Sequence, residues 1–434
     1  MIKSAISKMK SETSAGHDGL STEQLKHAGA AIIELLTTLL TDILKSGYLP
    51  KDMPKTIIIP ILKSKPTDVT LQENYRPISI ATVIMGFKRE GSTDSAIFCV
   101  KRTLEYYRKK KTSTYACFLD LSKAFDRVSH PLLWKKTKEK RYTLESGKNS
   151  RNLAPSTGKS RKDGFSEPYY LNSGIRQGGC MSPILFNLYM DELTDRLNNA
   201  GCQIGGQCLN NISYADDMVL MAPSIRGLRI LLKICEEFAK ETNMLYNPTK
   251  TALMVIRHGQ GPKNIPPATL NGVNLRLAEK TKYLGHIITS NLMDDDDIDR
   301  QRRALSVKAN MISRRFRLCS TAEKGTLFIS FCTTLYTCEL WANYKKSSIE
   351  RLRVQYNNAF RIMFGLPRYC SASQMFTEGR VPGYAALIRS RVAGTRERIC
   401  SSGNILVMEA RLSPSSSIDA HWRKILAPNV VREF

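Results

Sequence analysis

The chain has 434 residues and a formal net charge of +26, from 65 Lys and Arg against 39 Asp and Glu. Hydrophobic residues make up 42% and charged residues 24%, a globular composition that excludes a mainly disordered chain and allows two or three domains. No apolar run approaches the roughly 18 to 20 residues of a membrane-spanning helix, and residues 1–19 hold no apolar stretch of the signal-peptide kind.

Ile32, Ile33, Leu35, Leu36, Leu39, Leu40, Ile43 and Leu44 recur at helical spacing. They predict a helix over residues 22–46, capped by Thr22 and stopped by Gly47 and Pro50. Lys55 to Lys63 reads as a strand broken at Pro60. Asn74 to Ile80 is extended, because Pro77 biases Arg76 away from helix. Residues 94–110 read as a helix ending in the basic run Arg108 to Lys111. Tyr115 to Leu121 is a strand carrying Asp120 near its end, and a helix is expected from Lys123 until it fails near residue 141.

Between Lys135 and Phe165 the pattern collapses, with 10 basic and 3 acidic residues. This is read as a loop or disordered insertion. Order returns at Ser173, followed by a helix over Ile184 to Asn199. Ile212 to Ala215 and Met218 to Met221 are two short strands around Asp216 and Asp217, a hairpin with two acids at its tip. Residues 225–242 form an amphipathic helix. Asp294 to Asp297 is read as a solvated acidic turn, after which the chain is helical and basic to about residue 365. The Ser- and Arg-rich tail shows no clear pattern.

The charge is uneven. Arg300 to Phe434 hold 23 Lys and Arg against 8 Asp and Glu, more than half of the surplus. That points to a polyanionic partner, nucleic acid before an acidic membrane. The 11 cysteines are odd in number and have neither CxxC nor zinc-ligand spacing. With no secretory signal, they read as reduced thiols of an intracellular protein that is not secreted.

Asp120 closes one strand, and Asp216 and Asp217 sit on a tight turn. The three converge if their strands are neighbours in one sheet. An Asp pair on a turn is by itself ordinary turn chemistry, and Asp120 alone can cap a helix. Together they form a cluster whose repulsion two divalent cations, Mg²⁺ or Mn²⁺, would relieve. Two such ions roughly 3.5 to 4 Å apart clamp the attacking and leaving oxygens of a phosphoryl transfer.

Tyr214-Ala-Asp-Asp217 resembles the YxDD box of reverse transcriptases. Phe118-Leu-Asp-Leu-Ser-Lys-Ala-Phe-Asp126 resembles their first palm motif. Asn172-Ser-Gly-Ile-Arg-Gln-Gly-Gly-Cys-Met-Ser-Pro183, followed by Leu185-Phe-Asn187, resembles the second. Asn74-Tyr-Arg-Pro-Ile-Ser79 is similar to a fingers motif, and Ser14-Ala-Gly-His-Asp-Gly19 to the segment before it. Tyr246-Asn-Pro-Thr-Lys250 and Lys282-Tyr-Leu-Gly285 resemble the later palm and primer-grip motifs. The phrasing is that of non-LTR (LINE-type) retrotransposon enzymes, over roughly residues 14–370.

The resemblance implies an α+β right-hand polymerase. Residues 1–113 would form an N-terminal segment and fingers, 114–290 a palm with an antiparallel sheet, and 291–434 a basic helical thumb with a tail. It implies an RNA-directed DNA polymerase acting on an RNA template, a DNA primer and dNTPs. Asp120, Asp216 and Asp217 would be the catalytic metal ligands. Phe125 would lie under the incoming sugar and exclude a 2′-hydroxyl, or else be a core aromatic beside Phe118. Gln177 would border the nucleotide, Lys63 and Arg76 would reach the triphosphate, and Lys250 would protonate pyrophosphate. Arg302, Arg303, Arg314, Arg315 and Arg317 would hold the duplex backbone. Lys63, Arg76 and Lys250 can also be read as solvated surface cations.

The sequence departs from the family pattern in two places. The fingers are shortened near residues 84–86, where Gly86-Phe-Lys-Arg89 follows Ile84 almost at once. The low-complexity stretch at about 140–163 replaces a palm helix and strand. No endonuclease-like segment precedes residue 14, and no Cys/His cluster follows the thumb. The chain therefore reads as the polymerase part of a degenerate retroelement. The alternatives are a catalytically inactive or domesticated nucleic-acid-binding remnant, and an RNA-directed RNA polymerase, against which Phe125 speaks.

Overall fold

A computed structural model describes residues 22–27, 56–62, 75–80, 92–139, 157–160, 169–170, 173–175, 182–197, 201–259, 261–262, 264–412 and 416–427, with a few isolated positions. Of the expected 22–46 helix, the continuous described part runs Thr22–His27, and residues 29, 33–35 and 38 are helical too. The chain divides into two compact units. One comprises Met1–Glu90, Leu121–Arg196 and Ile234–Tyr246. The other comprises Gly91–Asp120, Leu197–Lys233 and Asn247–Phe434. The fold is α+β.

In the first unit, the strands Thr56–Leu62 and Tyr75–Ile80 pair antiparallel, with Pro60 opposite Pro77. The strand is therefore not broken at Pro60. Two residues without an N–H can face each other at a rung that makes no N–H···O bond. Thr157–Ser160 adds parallel to Thr56–Leu62, and Tyr169–Tyr170 completes the four-stranded sheet. Part of the stretch read as a loop or disordered insertion is thus a strand. The helix expected from Lys123 starts later. Lys123 has a positive φ, Phe125–Arg127 forms a 3₁₀ turn, and the helix is His130–Glu139.

The helix Ser182–Leu197 belongs to the first unit up to Arg196. There Tyr189, fully buried, donates its hydroxyl to Thr242 O at 2.7 Å. Lys136 bonds Tyr189 O at 3.0 Å and pairs with Glu192 at 2.8 Å. Arg196 bridges Glu192 and Glu241. Partly exposed pairs of this kind contribute little stability each, but they fix register between neighbouring segments.

The second unit is built on a five-stranded sheet. Its order is Arg276–Leu277, Ala252–Ile256, Thr114–Asp120, Asp217–Ala222, Asn211–Tyr214. The Arg276–Leu277 edge pairs parallel and the other three pairings are antiparallel. The central strands read as near-continuous apolar runs, because both faces are covered. Tyr115 to Leu119 and Met218 to Ala222 are all buried. The helix Thr93–Lys109, capped by Ser92, buries Ile97, Phe98, Val100 and Leu104 in the core of this unit.

The tail, which showed no pattern in the sequence, is helical at Ala372–Glu378, Tyr384–Cys400, Ile405–Leu412 and Ser417–Leu426. It packs onto Thr93–Lys109. Trp422 stacks on Phe98 at 5.7 Å, and buried Arg102 donates from Nε to Ala410 O at 3.1 Å. A second apolar core joins Asp295–Arg315, Thr321–Cys332 and Lys346–Phe364 around Phe328, Tyr356 and Phe360. Ser320 and Glu323 form a reciprocal capping box that starts the second of these helices, and Gly365 at φ +67° ends the third.

The acidic run is a correction to the sequence reading. Asp294 and Asp297 are buried rather than solvated, at 2% and 0% exposure. They lie where the Asp295–Arg315 helix begins, a favourable place for anions. Asp294 pairs with buried Lys101. Asp297 accepts from Trp341 Nε1 at 2.9 Å and Ile287 N at 3.0 Å, and lies 3.1 Å from His286 Nδ1. These partners hold both carboxyls well below the ordinary range against the opposing effect of burial, Asp294 down to about 2. Among the described residues no helix is long and apolar enough to cross a membrane.

Candidate active site at the end of the central strands

Asp120 is the last residue of the Thr114–Asp120 strand and lies in register with Asp217 on the neighbouring antiparallel strand. Asp217 in turn pairs with Tyr214. Asp120, Asp217 and Tyr214 therefore form one row across three strands, on one face of the sheet. Directly opposed residues in such a row have Cβ atoms about 4.5 to 5.5 Å apart. Ala215 and Asp216 make the two-residue turn between Tyr214 and Asp217. Ala215 has φ +56°, an uncommon conformation for alanine and one that clusters at functional turns.

The strand end is held from the other side by the segment after Tyr246. Asn247 N donates to Asp120 O at 2.8 Å, and Asp120 N donates to buried Thr251 Oγ1 at 3.3 Å. Asn247 Oδ1 accepts from Thr249 N, Thr249 Oγ1 and Lys250 N at 3.1, 2.7 and 3.3 Å. This Asx turn carries Lys250 to Asp120, where its charge opposes the rise of the Asp120 carboxyl. Sequence reasoning had not assigned roles to Asn247 or Thr251. The signal was present in Asn247-Pro-Thr, an Asx-turn pattern.

The electrostatics follow from this crowding. Desolvation first, then the charges of Asp216 and Asp120, push the Asp217 carboxyl up to about 6. Asp120 is raised by desolvation and by Asp216. A proton or a cation at this cluster removes the same repulsion. Among the described residues no three His, Cys, Asp or Glu side chains form a ready-made metal cage. The donor chemistry nevertheless fits a hard divalent ion. All three groups are carboxylates within reach of one another's charge, and their oxygens suit magnesium or manganese.

Asp217 gives a stability signature. Its pKa is raised on folding, so between about pH 4 and 6 the native state binds more protons than the unfolded state. Stability then falls as pH rises through that window. Asp217→Asn is expected to raise the thermal midpoint at pH 8 in the presence of chelator. The gain should shrink toward pH 4. A midpoint that does not respond at pH 8 would refute the linkage.

The remaining site residues are distributed as follows. Phe125 belongs to the other unit, in the 3₁₀ turn. It is partly exposed and stacks on buried Phe186 at 4.7 Å and 22°. Phe118, in the second unit, packs against Tyr283. Ile175 N donates to Phe125 O at 2.8 Å, and Gly174 N to Val128 O at 2.8 Å. Gly174 has φ +86°, and a Cβ there would meet Phe125 and Asp126 backbone at 3.0 to 3.1 Å. Only glycine fits this close approach.

Gln177 and Lys63 lie outside the described residues. Arg76 sits in the Tyr75–Ile80 strand opposite Ile61, and its side chain lies outside the described set. Arg302 and Arg303 both pair with Asp299. Arg314 and Arg315 line an open groove with Ser306, Val307, Asn310 and Met311. Arg317 is exposed beyond the helix end.

Residues 55–288 match the family profile described as reverse transcriptase (RNA-dependent DNA polymerase), more than half of the chain. The chain belongs to the reverse transcriptase family. It is 24% identical over 467 residues to the RNA-directed DNA polymerase from mobile element jockey of Drosophila funebris, covering 97% of this chain and 50% of that protein. It is 28% identical over 281 residues to the Retrovirus-related Pol polyprotein from type-2 retrotransposable element R2DM of Drosophila melanogaster, covering 56% and 25%. The relatives are RNA-directed DNA polymerases of non-LTR retrotransposons, as the motif phrasing implied. The chain spans half the length, or less, of these relatives. Among solved structures it resembles a telomerase from Candida albicans in complex with a fragment of telomeric RNA. That match has 10% identity and a TM-score of 0.40, covering 80% of this chain and 68% of the other.

Proposed function

We propose that this chain is the polymerase part of a non-LTR retroelement, with fingers in residues 1–113, palm in 114–290 and thumb in 291–434. It would copy an RNA template by adding deoxynucleotides to a primer 3′-hydroxyl. The observation that carries the reading is the register of Asp120 with Asp217, with Asp216 on the adjoining turn. In the reaction the primer 3′-oxygen bonds the α-phosphorus of the dNTP. The bond to the β-phosphate oxygen breaks, and pyrophosphate leaves. Asp120, Asp216 and Asp217 would hold two divalent cations, which when bound stabilise charge on the phosphoryl oxygens. Lys250, whose charge acts on Asp120, would give a proton to pyrophosphate. Arg76 and Lys63 would hold the triphosphate, and Gln177 the base. Arg302, Arg303, Arg314, Arg315 and Arg317 would grip the template–primer backbone.

Primer extension on poly(rA)/oligo(dT) with Mg²⁺ or Mn²⁺ tests the reading. DNA synthesis by the parent chain, lost in Asp216→Ala/Asp217→Ala, is expected. A folded, RNA-binding chain that makes no DNA would mark an inactive remnant. Phe125 carries a second expectation, because an aromatic ring under the sugar excludes the 2′-hydroxyl. Phe125→Val should raise incorporation of NTP relative to dNTP by roughly 10- to 200-fold. An unchanged ratio would return Phe125 to a packing role on Phe186.

A further inference from the structure

The strands Lys280–Tyr283 and His286–Thr289 form a hairpin closed by Leu284 and Gly285. Both turn residues have positive φ, +46° and +83°. Glycine adopts this conformation freely, whereas leucine in it is strained and needs outside support. The support comes from Tyr336, which follows the Thr321–Cys332 helix. Tyr336 Oη lies 2.8 Å from Leu284 O and 2.8 Å from Thr93 Oγ1. One phenolic proton serves one acceptor. Tyr336 therefore donates to the carbonyl, and the Thr93 hydroxyl donates to Tyr336. The ring also closes over the turn, since a Cβ on Gly285 would come within 3.0 Å of Tyr336 Cε1.

Both partners are themselves fixed. Gln301 Nε2 donates to Tyr336 O at 2.9 Å, and the next residue, Thr337, has φ +61° and bonds His286 Nδ1 at 2.8 Å. At the base of the same turn, Tyr283 donates its hydroxyl to Ile212 O at 3.2 Å. Ile212 is on the strand that leads into Tyr214 and the carboxylates. The charge of Asp217 reaches Tyr283 and adds to burial in raising its phenol. The hairpin therefore stands beside the strand that leads into the catalytic turn, and its tip is held by the Tyr336 hydroxyl.

We propose that Tyr336 is a positioning residue for the polymerase reaction. It latches the Leu284–Gly285 tip to Thr93, and so sets where a primer 3′ end rests against the carboxylate row. The proposal rests on the polymerase reading. Tyr336 lies beyond the 55–288 segment that matches the family profile, and its exposed hydroxyl holds the tip of a hairpin whose second strand is anchored separately, by His286 to Thr337 and by Ile287 to Asp297.

Tyr336→Phe keeps the ring over Gly285 and removes the hydroxyl alone. Thr93→Val removes the second partner. Two readouts are needed: the single-turnover rate of extension at saturating dNTP, and the affinity for a recessed 3′ end relative to a blunt duplex of the same sequence. The expected result is a rate roughly tenfold to a hundredfold lower in Tyr336→Phe, with loss of the recessed-end preference. Thr93→Val should show a smaller change in the same direction. The concentration dependence on dNTP should not move, and the loss of rate should be the same at every temperature well below the thermal midpoint.

An unchanged rate and preference would overturn the latch while leaving the polymerase reading in place. So would a loss that tracks the thermal midpoint or the fraction of active molecules. A parent chain that makes no DNA, but prefers recessed ends through Tyr336, would overturn the polymerase reading and keep the latch. A parent chain with neither property overturns both.

Discussion

Asp216→Ala should lower primer extension by on the order of 10³-fold, and template–primer binding should stay as it was. The first figure comes from the several kcal/mol that charge stabilisation at a phosphoryl group contributes, at about 1.4 kcal/mol per tenfold in rate. The second follows from position. Asp216 is exposed on a two-residue turn and makes no contribution to the core, so its loss leaves the strands Asn211–Tyr214 and Asp217–Ala222 intact. The substitution also has an internal control. Asp216 is one of the two charges that raise the Asp217 carboxyl. Removing it should bring the Asp217 titration down from about 6, read by carbon NMR of the carboxyl. A fall in that titration together with full activity would remove Asp216 from the catalytic set. Loss of activity without the electrostatic response would point to a distorted turn.

The carboxylate row was legible in the sequence for a physical reason. Two apolar runs each end at Asp, and neighbouring buried strands put such ends side by side. The register of Asp120 with Asp217 needed only the assumption that the two strands pair. What surrounds the row was less legible. Asn247 and Thr251 act through backbone atoms, which composition does not report. Lys101 meets Asp294 across 193 residues, and nothing local in Asp294 to Asp297 separates a solvated turn from a buried ion cluster. The last helix is a different case. Ile418, Trp422 and Ile425 recur at i, i+4 and i+7, a short apolar stripe in a Ser- and Arg-rich setting. Its partner Phe98 lies far away in the chain. Short helices of this kind are stabilised by the surface they cover, and that surface is invisible from the helix itself.

The buried cluster gives the largest stability effect expected for this chain. Asp297 has no exposed surface and satisfies Trp341 Nε1 and Ile287 N while facing His286 and Arg300. Asp297→Ala leaves two buried donors without an acceptor and strips Arg300 of its counter-charge. Breaking a buried pair from one side costs about 3 to 5 kcal/mol, measured by urea denaturation at pH 7. The pH dependence carries the sign of a lowered carboxylate. Asp297 in the folded chain stays ionised well below its unfolded value near 4, so its contribution is fully present above that value. It is lost as pH falls through the folded one. The difference between parent and Asp297→Ala should therefore shrink below about pH 4. Asp296→Ala, a neighbour with a half-exposed side chain whose contact is an open pair with Lys280, should cost less than about 1 kcal/mol. Equal losses from the two variants would contradict the burial of Asp297. A small loss from Asp297→Ala would mean that the hairpin after Tyr283 and the helix from Asp295 are held together by apolar packing alone. In that case His286, Trp341 and Ile287 would find other partners, and the strained Leu284 turn would rest on Tyr336 with no second anchor.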